Sequence, residues 1–286
     1  MAIELTLEPR ATFRDLSRVM GLSVTAVHKR FRSLVVRGIF RRFTASPSPW
    51  AYACPVCMIS GRFDPHEEEE VLSSIVSDDR VHSVHIGSGE FIYVAAIARP
   101  GESIEDVKRE IIAAGGIEEP FTDSMHPPRP SAELQPEDHL IISALRDDCR
   151  RPLQEVAELT GMSTKTLKRR LDRMRDEELI WMRLEWSPLI SGDYLAIMNV
   201  TLADGSPNLD AVNEIRRRYM PPVVGLSALV EHPRQLLLGV WARNLVELHE
   251  TRRELQGCGL FGSLRYHILT DMLDCRCWID TVSGPS

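Results

Sequence analysis

The sequence predicts an α+β protein in which one architectural unit occurs twice in tandem: a winged helix-turn-helix followed by a ferredoxin-like βαββαβ domain. Three observations lead there. Residues 13–39, FRDLSRVMGLSVTAVHKRFRSLVVRGI, align without a gap on residues 153–179, LQEVAELTGMSTKTLKRRLDRMRDEEL, at an offset of 140. Each stretch reads as two short amphipathic helices about a glycine turn. The segments that follow them share one order of extended and helical patterns, the mark of an internal repeat.

The helix-turn-helix pattern is plainest in the second copy. Leu153, Val156, Ala157 and Leu159 form the inner stripe of one helix, and Leu167, Leu171 and Met174 continue it on the next. Gly161 supplies a positive φ at the bend, and Ser163 stands where an N-cap belongs. In the first copy Arg10 falls on Arg150, Leu16 on Val156, Gly21 on Gly161, Ser23 on Ser163, Arg30 on Arg170 and Ile39 on Leu179. EDHLIISALRD, 137–147, gives the second copy a preceding helix with Leu140, Ile141, Ala144 and Leu145 on one side. MAIELTLE, 1–8, takes its place in the first and is visibly abbreviated; either that helix is short or the true start lies upstream. GIFRRFTASPSPW and LIWMRLEWSP follow the two motifs as extended pairs suited to a β-wing.

Each wing leads into the order strand, helix, strand, strand, helix, strand. In the first half these are 51–60, HEEEEVLSSIVSD, Val81–Ile86, Phe91–Ala98, Ser103–Ala114 and Glu118–Met125, with GSGE as a hairpin turn. In the second half they are Tyr194–Leu202, Leu209–Tyr219, Val223–Val230, Gln235–Ala242, Leu245–Leu255 and Ser263–Thr270. Such a unit makes a four-stranded antiparallel sheet with both helices on one face. The expected boundaries are 1–46 and 137–187 for the helix-turn-helix copies, 50–126 and 192–274 for the sheet domains, 127–136 for a proline-rich linker and 275–286 for a tail.

At 286 residues and 43% hydrophobic, the chain is long and apolar enough for several cores. No apolar run approaches the roughly 20 residues that span a bilayer, and the N-terminus lacks a signal-peptide pattern, so a cytoplasmic protein without a membrane partner is expected. The net charge of −7 looks wrong for a polyanion ligand until it is divided. Residues 9–42 carry nine basic residues against Asp15 alone, or +8; residues 149–185 carry nine against seven, or +2; the remainder holds −17. Basic modules on an acidic body point to double-stranded DNA. The plainer alternative is a solvated, Arg-rich helix face.

The exposed early positions of each second helix are those able to reach base edges. They are Ser23, Thr25, Ala26, Lys29 and His28 in the first copy, and Ser163, Thr164, Lys165, Lys168 and Arg169 in the second. Arg32 and Arg173, farther along, and the wing residues Arg41 and Arg42 are better placed for phosphate. Because the two helices differ, an operator less palindromic than a homodimer's is expected.

The order helix-turn-helix, wing, hinge, βαββαβ resembles the Lrp/AsnC family of prokaryotic transcription regulators. The resemblance covers nearly the whole chain, twice. It is carried by EDHLIISALRDDCRRP, by GLSVTAVHKRFRSLVVRGI and GMSTKTLKRRLDRMRDEELI, and by the GSGEF hairpin. Members are usually one such pair of domains that dimerises through the sheets. The resemblance therefore implies two fused protomers forming a pseudo-dimer within one chain, with homo-oligomers a further expectation. It also implies a small effector, often an amino acid, near the turn Gly87, Ser88, Gly89 and Glu90, with backbone amides for a carboxylate and Glu90 for an ammonium. An ordinary hairpin turn is the simpler reading. The second copy has Glu231 to Gln235 there, with Pro233, and no pocket is assigned to it.

The rival reading is enzymatic. Siroheme decarboxylases of heme biosynthesis resemble this architecture as paired subunits, but their histidine- and arginine-rich middle-strand segment is not reproduced. VEHPRQLLLGVW offers only His232 and Arg234, and VHIGSGEFIYV only His85. No catalytic residue and no cofactor is expected. Cys54 with Cys57, and Cys275 with Cys277, make two thiol pairs that would suit zinc or a redox switch if brought together. Buried cysteine acting as a small hydrophobe is the commoner explanation.

Overall fold

The computed structural model describes residues 1–125, 132–203, 208–219 and 222–282. In chain order the elements are α1 (Ala2–Leu7), α2 (Phe13–Met20), α3 (Val24–Val36), β1 (Phe40–Pro47), β2 (Val56–Arg62), α4 (Glu68–Val76), β3 (Val81–Gly87), β4 (Phe91–Ile97), α5 (Ile104–Ala114) and β5 (Glu118–Met125). The second copy supplies α6 (Pro136–Leu145), α7 (Leu153–Thr160), α8 (Thr164–Asp176), β6 (Ile180–Trp186), α9 (Pro188–Ser191), β7 (Tyr194–Leu202), α10 (Asn208–Tyr219), β8 (Val223–Ala228), β9 (Gln235–Ala242), α11 (Leu245–Gly257) and β10 (Phe261–Asp274). These elements gather into two compact units that group like with like. One comprises Met1–Cys54, Pro127–Ser187 and Cys277–Ser286; the other comprises Pro55–His126 and Pro188–Arg276.

In the helical unit both turns form as the residues dictate. Thr12 and Asp15 cap α2 reciprocally, and Gly21 ends it at φ 62°. Gly161 ends α7 at φ 69°. Ser23 accepts from the Ala26 amide and Ser163 from the Thr166 amide, so each second helix starts at its predicted cap. Ile141, Ile142, Leu145, Val156, Leu167, Leu171 and Met174 close one trihelical core. Ile3, Leu5, Leu16, Val27 and Ile39 are buried in the other copy, so the six-residue α1 takes the place of α6 with one turn fewer. Phe31 meets Phe13, Phe40 and Phe43 there at centroid separations of 5.2–5.8 Å.

The wings differ from the extended pairs expected of them. Among the described residues each copy contributes a single strand, and β1 pairs antiparallel with β6. Proline at or just after each strand's end explains this: Pro47 closes β1 and Pro49 follows it, and Pro188 follows β6, which disfavours a tight return hairpin. The unpaired backbone groups of each strand are then satisfied by the other copy.

Among the described residues the sheet unit carries eight strands in the order β5-β2-β4-β3-β10-β7-β9-β8. Each half has the expected βαββαβ order, with the fourth strand beside the first. β10 is longer than the Ser263–Thr270 read from sequence: Phe261 to Ile268 pair with β7, and Leu269 to Asp274 pair with β3. One face of each half packs on its helices, through Ile59, Ile75, Ile92, Val94 and Ile111 in the first and Met198, Val200, Ile215, Leu238 and Leu248 in the second. The opposite faces meet each other through Tyr93, Leu195 and Leu269, backed by Phe91, Ile197, Val224 and Trp241. The strand expected at 51–60 starts only at Val56, because Pro49–Tyr52 form a 3-10 turn and Ala53 adopts φ 52°. Residues 127–131 of the expected linker 127–136 lie outside the described residues, as do 283–286 of the tail; Pro136 already belongs to α6. Among the described residues no helix is long and apolar enough to cross a membrane.

Candidate nucleic-acid interface

The outer face of α3 is set by its inner one. With Val27 fully buried, Thr25, His28, Lys29 and Arg32 turn outward and are exposed. Thr25, His28, Lys29, Arg32, Ser33 and Val36 line a shallow groove along the helix. His28 also lies edge-on to Phe13, with centroids 5.1 Å apart, which fixes its ring on the rim of the groove. Ser23 is exposed but spends its hydroxyl on the cap. Ala26 is half-buried. On the strand that follows, Arg41 is exposed, whereas Nε of Arg42 donates to Glu185 at 2.7 Å.

The equivalent groove runs along α8 and is lined at the same positions, displaced by 140: Lys165, Lys168, Arg169, Asp172, Arg173 and Asp176, with Glu177 added. Thr164, Lys165, Lys168 and Arg169 are exposed. Arg173 stands apart from them. Its guanidinium donates to Asp138, a carboxylate with 0% exposure, and to Glu177 at 3.3 Å. Arg170 reaches the other Asp138 oxygen at 3.0 Å. A buried carboxylate needs such partners, so Arg173, though half-exposed on the groove, is held by Asp138 and Glu177 rather than freely displayed for phosphate. Asp138 lies 35 positions away and has no counterpart in the shorter α1, which is why helical spacing alone did not reveal this role.

The contacts between the copies are reciprocal. Arg10 donates to the carbonyl oxygens of Cys149 and Arg151, the latter at 3.1 Å. Arg150 donates to those of Pro9 and Ala11, the latter at 2.9 Å. At the offset of 140 these four carbonyls are equivalents. Arg150 also lies over Phe13, Phe31 and Phe43, 5.3–5.7 Å from the ring centroids. Burial pushes both guanidinium groups below their ordinary range. The β1–β6 register behaves likewise: Phe43 faces Leu184 and Thr44 faces Arg183, and exchanging the copies converts one pair into the other.

In the sheet unit the turn Gly87–Glu90 is largely engaged by its own chain. The Ser88 amide donates to the Ile268 carbonyl at 2.7 Å, and its hydroxyl accepts from the Ile268 amide at 3.1 Å. A Cβ on Gly87 would come within 2.9 Å of the His267 Cβ, so glycine is required for that approach. Gly89 and Glu90 stay exposed at positive φ, and Glu90 meets Arg62 at 3.4 Å. Beside them Tyr93 Oη, His267 Nδ1 and Asn199 form a chain of hydrogen bonds at 2.8 and 2.9 Å.

The corresponding turn of the second copy holds a cluster that sequence reading missed. Asp123 on β5 is wholly buried and accepts from the amides of Val230, Glu231 and His232 at 2.9–3.0 Å, and from its neighbour Ser124 at 2.7 Å. His232 Nδ1 lies 2.7 Å from the same carboxylate. Glu231 meets Lys108, itself 2% exposed, at 2.5 Å and Ser124 Oγ at 2.9 Å. The partners are more than a hundred residues apart, and no motif marks them.

Among the described residues no disulfide links the cysteines. Cys54 lies ahead of β2 in the helical unit with Cys277, while Cys57 and Cys275 belong to the sheet unit. Burial pushes the thiols of Cys57 and Cys277 up to about 12, and that of Cys275 up to about 11, so they stay protonated near neutrality. Among the described residues no group of three or more His, Cys, Asp or Glu is placed to hold a metal ion.

Comparison with known proteins fits this geometry. The family described as AsnC-type helix-turn-helix domain matches residues 138–175, and that described as winged helix-turn-helix DNA-binding matches residues 3–41. The HTH-type transcriptional regulator LrpA of Pyrococcus abyssi is 28% identical over 106 residues, 36% of this chain and 74% of that protein. An uncharacterized HTH-type transcriptional regulator of the same organism is 30% identical over 121 residues, 39% of this chain and 81% of the relative. Among solved structures, the siroheme decarboxylase NirDL in co-complex with an iron-uroporphyrin III analogue superposes with a TM-score of 0.57 at 16% identity, covering 98% of this chain and 93% of that one. That last likeness is one of fold, and it extends across both copies.

Proposed function

The chain belongs to the Lrp/AsnC family of helix-turn-helix regulators, and from that premise we propose that it is a sequence-specific DNA-binding transcription regulator of the cytoplasm. The observation that carries this reading is the pair of equivalent, outward-facing grooves on α3 and α8, each with cations in its first two turns. Lys29, Lys165, Lys168 and Arg169 are exposed there, and among the described residues no ion pair engages them. Side chains in that position reach base edges when the helix lies in the major groove. Arg32 and Arg41 supply phosphate contacts, which give affinity and salt dependence without sequence information.

In this reading the two copies act as the two protomers of a pseudo-dimer, and the domain boundaries given above mark its modules. The reciprocal arginine contacts and the β1–β6 ladder support it. An amino-acid effector would enter at Gly89 and Glu90, its ammonium replacing Arg62 on Glu90. Isothermal titration with the standard amino acids tests that input. The regulator reading itself is tested by fluorescence anisotropy on duplexes selected from a random pool. It predicts saturable binding whose affinity falls steeply with salt, and the absence of selected binding would remove it.

A second reading, decarboxylation of a siroheme-like tetrapyrrole, is supported by the fold likeness over both copies. Tyr93, His267 and Asn199, hydrogen-bonded together near the meeting sheet faces, would supply its polar groups. Incubation with the tetrapyrrole, followed by its absorption spectrum and loss of carboxylate, separates the two readings. Turnover would favour the enzyme.

A further inference from the structure

We propose that one chain alone reads a duplex carrying two unlike half-sites in inverted orientation, and therefore binds its operator in one fixed direction. This deepens the DNA-binding reading and rests on it. Two independent features of the helical unit carry it.

The first is geometric. Arg10 and Arg150 grip equivalent carbonyls of the opposite copy, and from Arg42 to Ala45 the β1–β6 register maps onto itself when the copies are exchanged. Two readers related in this way present themselves to DNA as those of a symmetric dimer do, on half-sites of opposite orientation one helical turn or a multiple apart. Both readers are in one chain, so no second chain is needed to complete the pair.

The second is chemical. The grooves are lined at equivalent positions, yet the side chains differ at every one. Where α3 presents Thr25, His28 and Lys29, α8 presents Lys165, Lys168 and Arg169. Arginine and lysine pair with the O6 and N7 acceptors of guanine, whereas a threonine methyl suits thymine. The α8 half-site is therefore the more guanine-rich. One turn farther on, Arg32 of α3 is replaced by Asp172, and Val36 by Asp176. A carboxylate there repels the phosphate that Arg32 attracts. Backbone grip consequently falls to the α3 half, in line with charges of +8 and +2 in the two modules.

The test is selection of bound duplexes from a random pool by the intact chain, followed by affinity and stoichiometry on the selected site. The expected result is one asymmetric motif with two inverted, unlike halves, occupied by one chain. Rewriting the DNA so that the α3 half becomes a copy of the α8 half, with the protein unchanged, should weaken binding roughly 10- to 100-fold. The triple variant Thr25→Lys, His28→Lys, Lys29→Arg should shift its selected motif toward a palindrome of α8 halves. A palindromic motif for the wild type, or two chains required per operator, overturns the inference while leaving DNA binding intact. No enrichment at low salt overturns the DNA-binding reading itself, and the inference with it.

Discussion

Replacing Asp123 by alanine should destabilise the sheet unit by up to about 3 kcal/mol. The carboxylate is fully buried and is the acceptor for three successive amides, those of Val230, Glu231 and His232. A buried donor left without a partner costs about 1–3 kcal/mol. The residues that carry these amides, Val230, Glu231 and His232, are themselves exposed, so water replaces part of the loss and three amides at the low end set a ceiling of about 3 kcal/mol. Asn at this position keeps one acceptor oxygen and should cost about half as much. Urea denaturation followed by circular dichroism measures the change, and amide hydrogen exchange at Val230 to His232 locates it. A variant within about 0.5 kcal/mol of wild type would show that these bonds contribute no more than water does.

The same carboxylate makes a pH prediction whose sign follows from its surroundings. Burial alone would raise its pKa, but the amide of Glu231, the His232 ring and the amides of Ser124 and Val230 together hold it below the ordinary carboxylate range. A group whose pKa is depressed in the folded state contributes stability that is fully present above the unfolded value, near 4, and is lost as pH falls through the lower folded value. Wild type and Asp123→Asn should therefore differ most at neutral pH and converge in acid. Curves that stay parallel through pH 3 would assign the acid limb to other groups.

The helical unit and the thiols give four further predictions. Lys29→Ala and Lys168→Ala should each weaken operator binding, and Arg32→Ala, which takes away one phosphate partner, should flatten the log affinity–log salt slope by about 0.9; unchanged affinity at moderate salt removes that helix as a reader. Arg173→Ala should lower the thermal midpoint, because Asp138 loses one of two guanidinium partners, while leaving the salt slope unchanged in anisotropy titrations. Arg150→Ala, which removes two carbonyl bonds and the cover over three phenyl rings, should cost more affinity on the full operator than on an isolated half-site. Cys57 and Cys277 should react with a disulfide reagent only on unfolding, and rapid reaction in the folded protein would contradict their burial.

What could be read from the sequence was what neighbouring residues decide. Gly21, Gly161, Ser23 and Ser163 specify bends and caps within a few positions, and they lie where spacing put them. The apolar stripes fixed which face of α3 and α8 turns outward, and with it Lys29, Lys165, Lys168 and Arg169. Long-range choices of partner were not legible. An extended, proline-stopped segment needs hydrogen bonds, but nothing in Phe40–Pro47 says that Ile180–Trp186 will supply them. Arg173 looked like a phosphate ligand because spacing counts turns of its own helix and is blind to Asp138. The Asp123 cluster joins residues 107 to 109 positions apart, so no local pattern betrays it.

The offset of 140 sharpens this division. Arg10 and Arg150 were visible as equivalents, yet their equivalence said nothing of their contacts until both were seen to grip the carbonyls that flank the other. A repeat aligned on itself shows which positions are kept; it cannot show whether they are kept for each copy's own core or for the joint between copies. Gly161 and Ser163 belong to the first kind, Arg150 to the second. The two kinds should respond differently to swapping one copy's residues for the other's. The turn glycines and the second-helix caps, serving the same local role in both copies, should tolerate exchange. The groove positions do not, because Thr25 and Lys165, or Arg32 and Asp172, occupy one geometric place with opposed chemistry. Divergence of the outward face, on a scaffold whose turn glycines, second-helix caps and arginine joint are held in common, is what distinguishes two readers of different sequences from two copies of one.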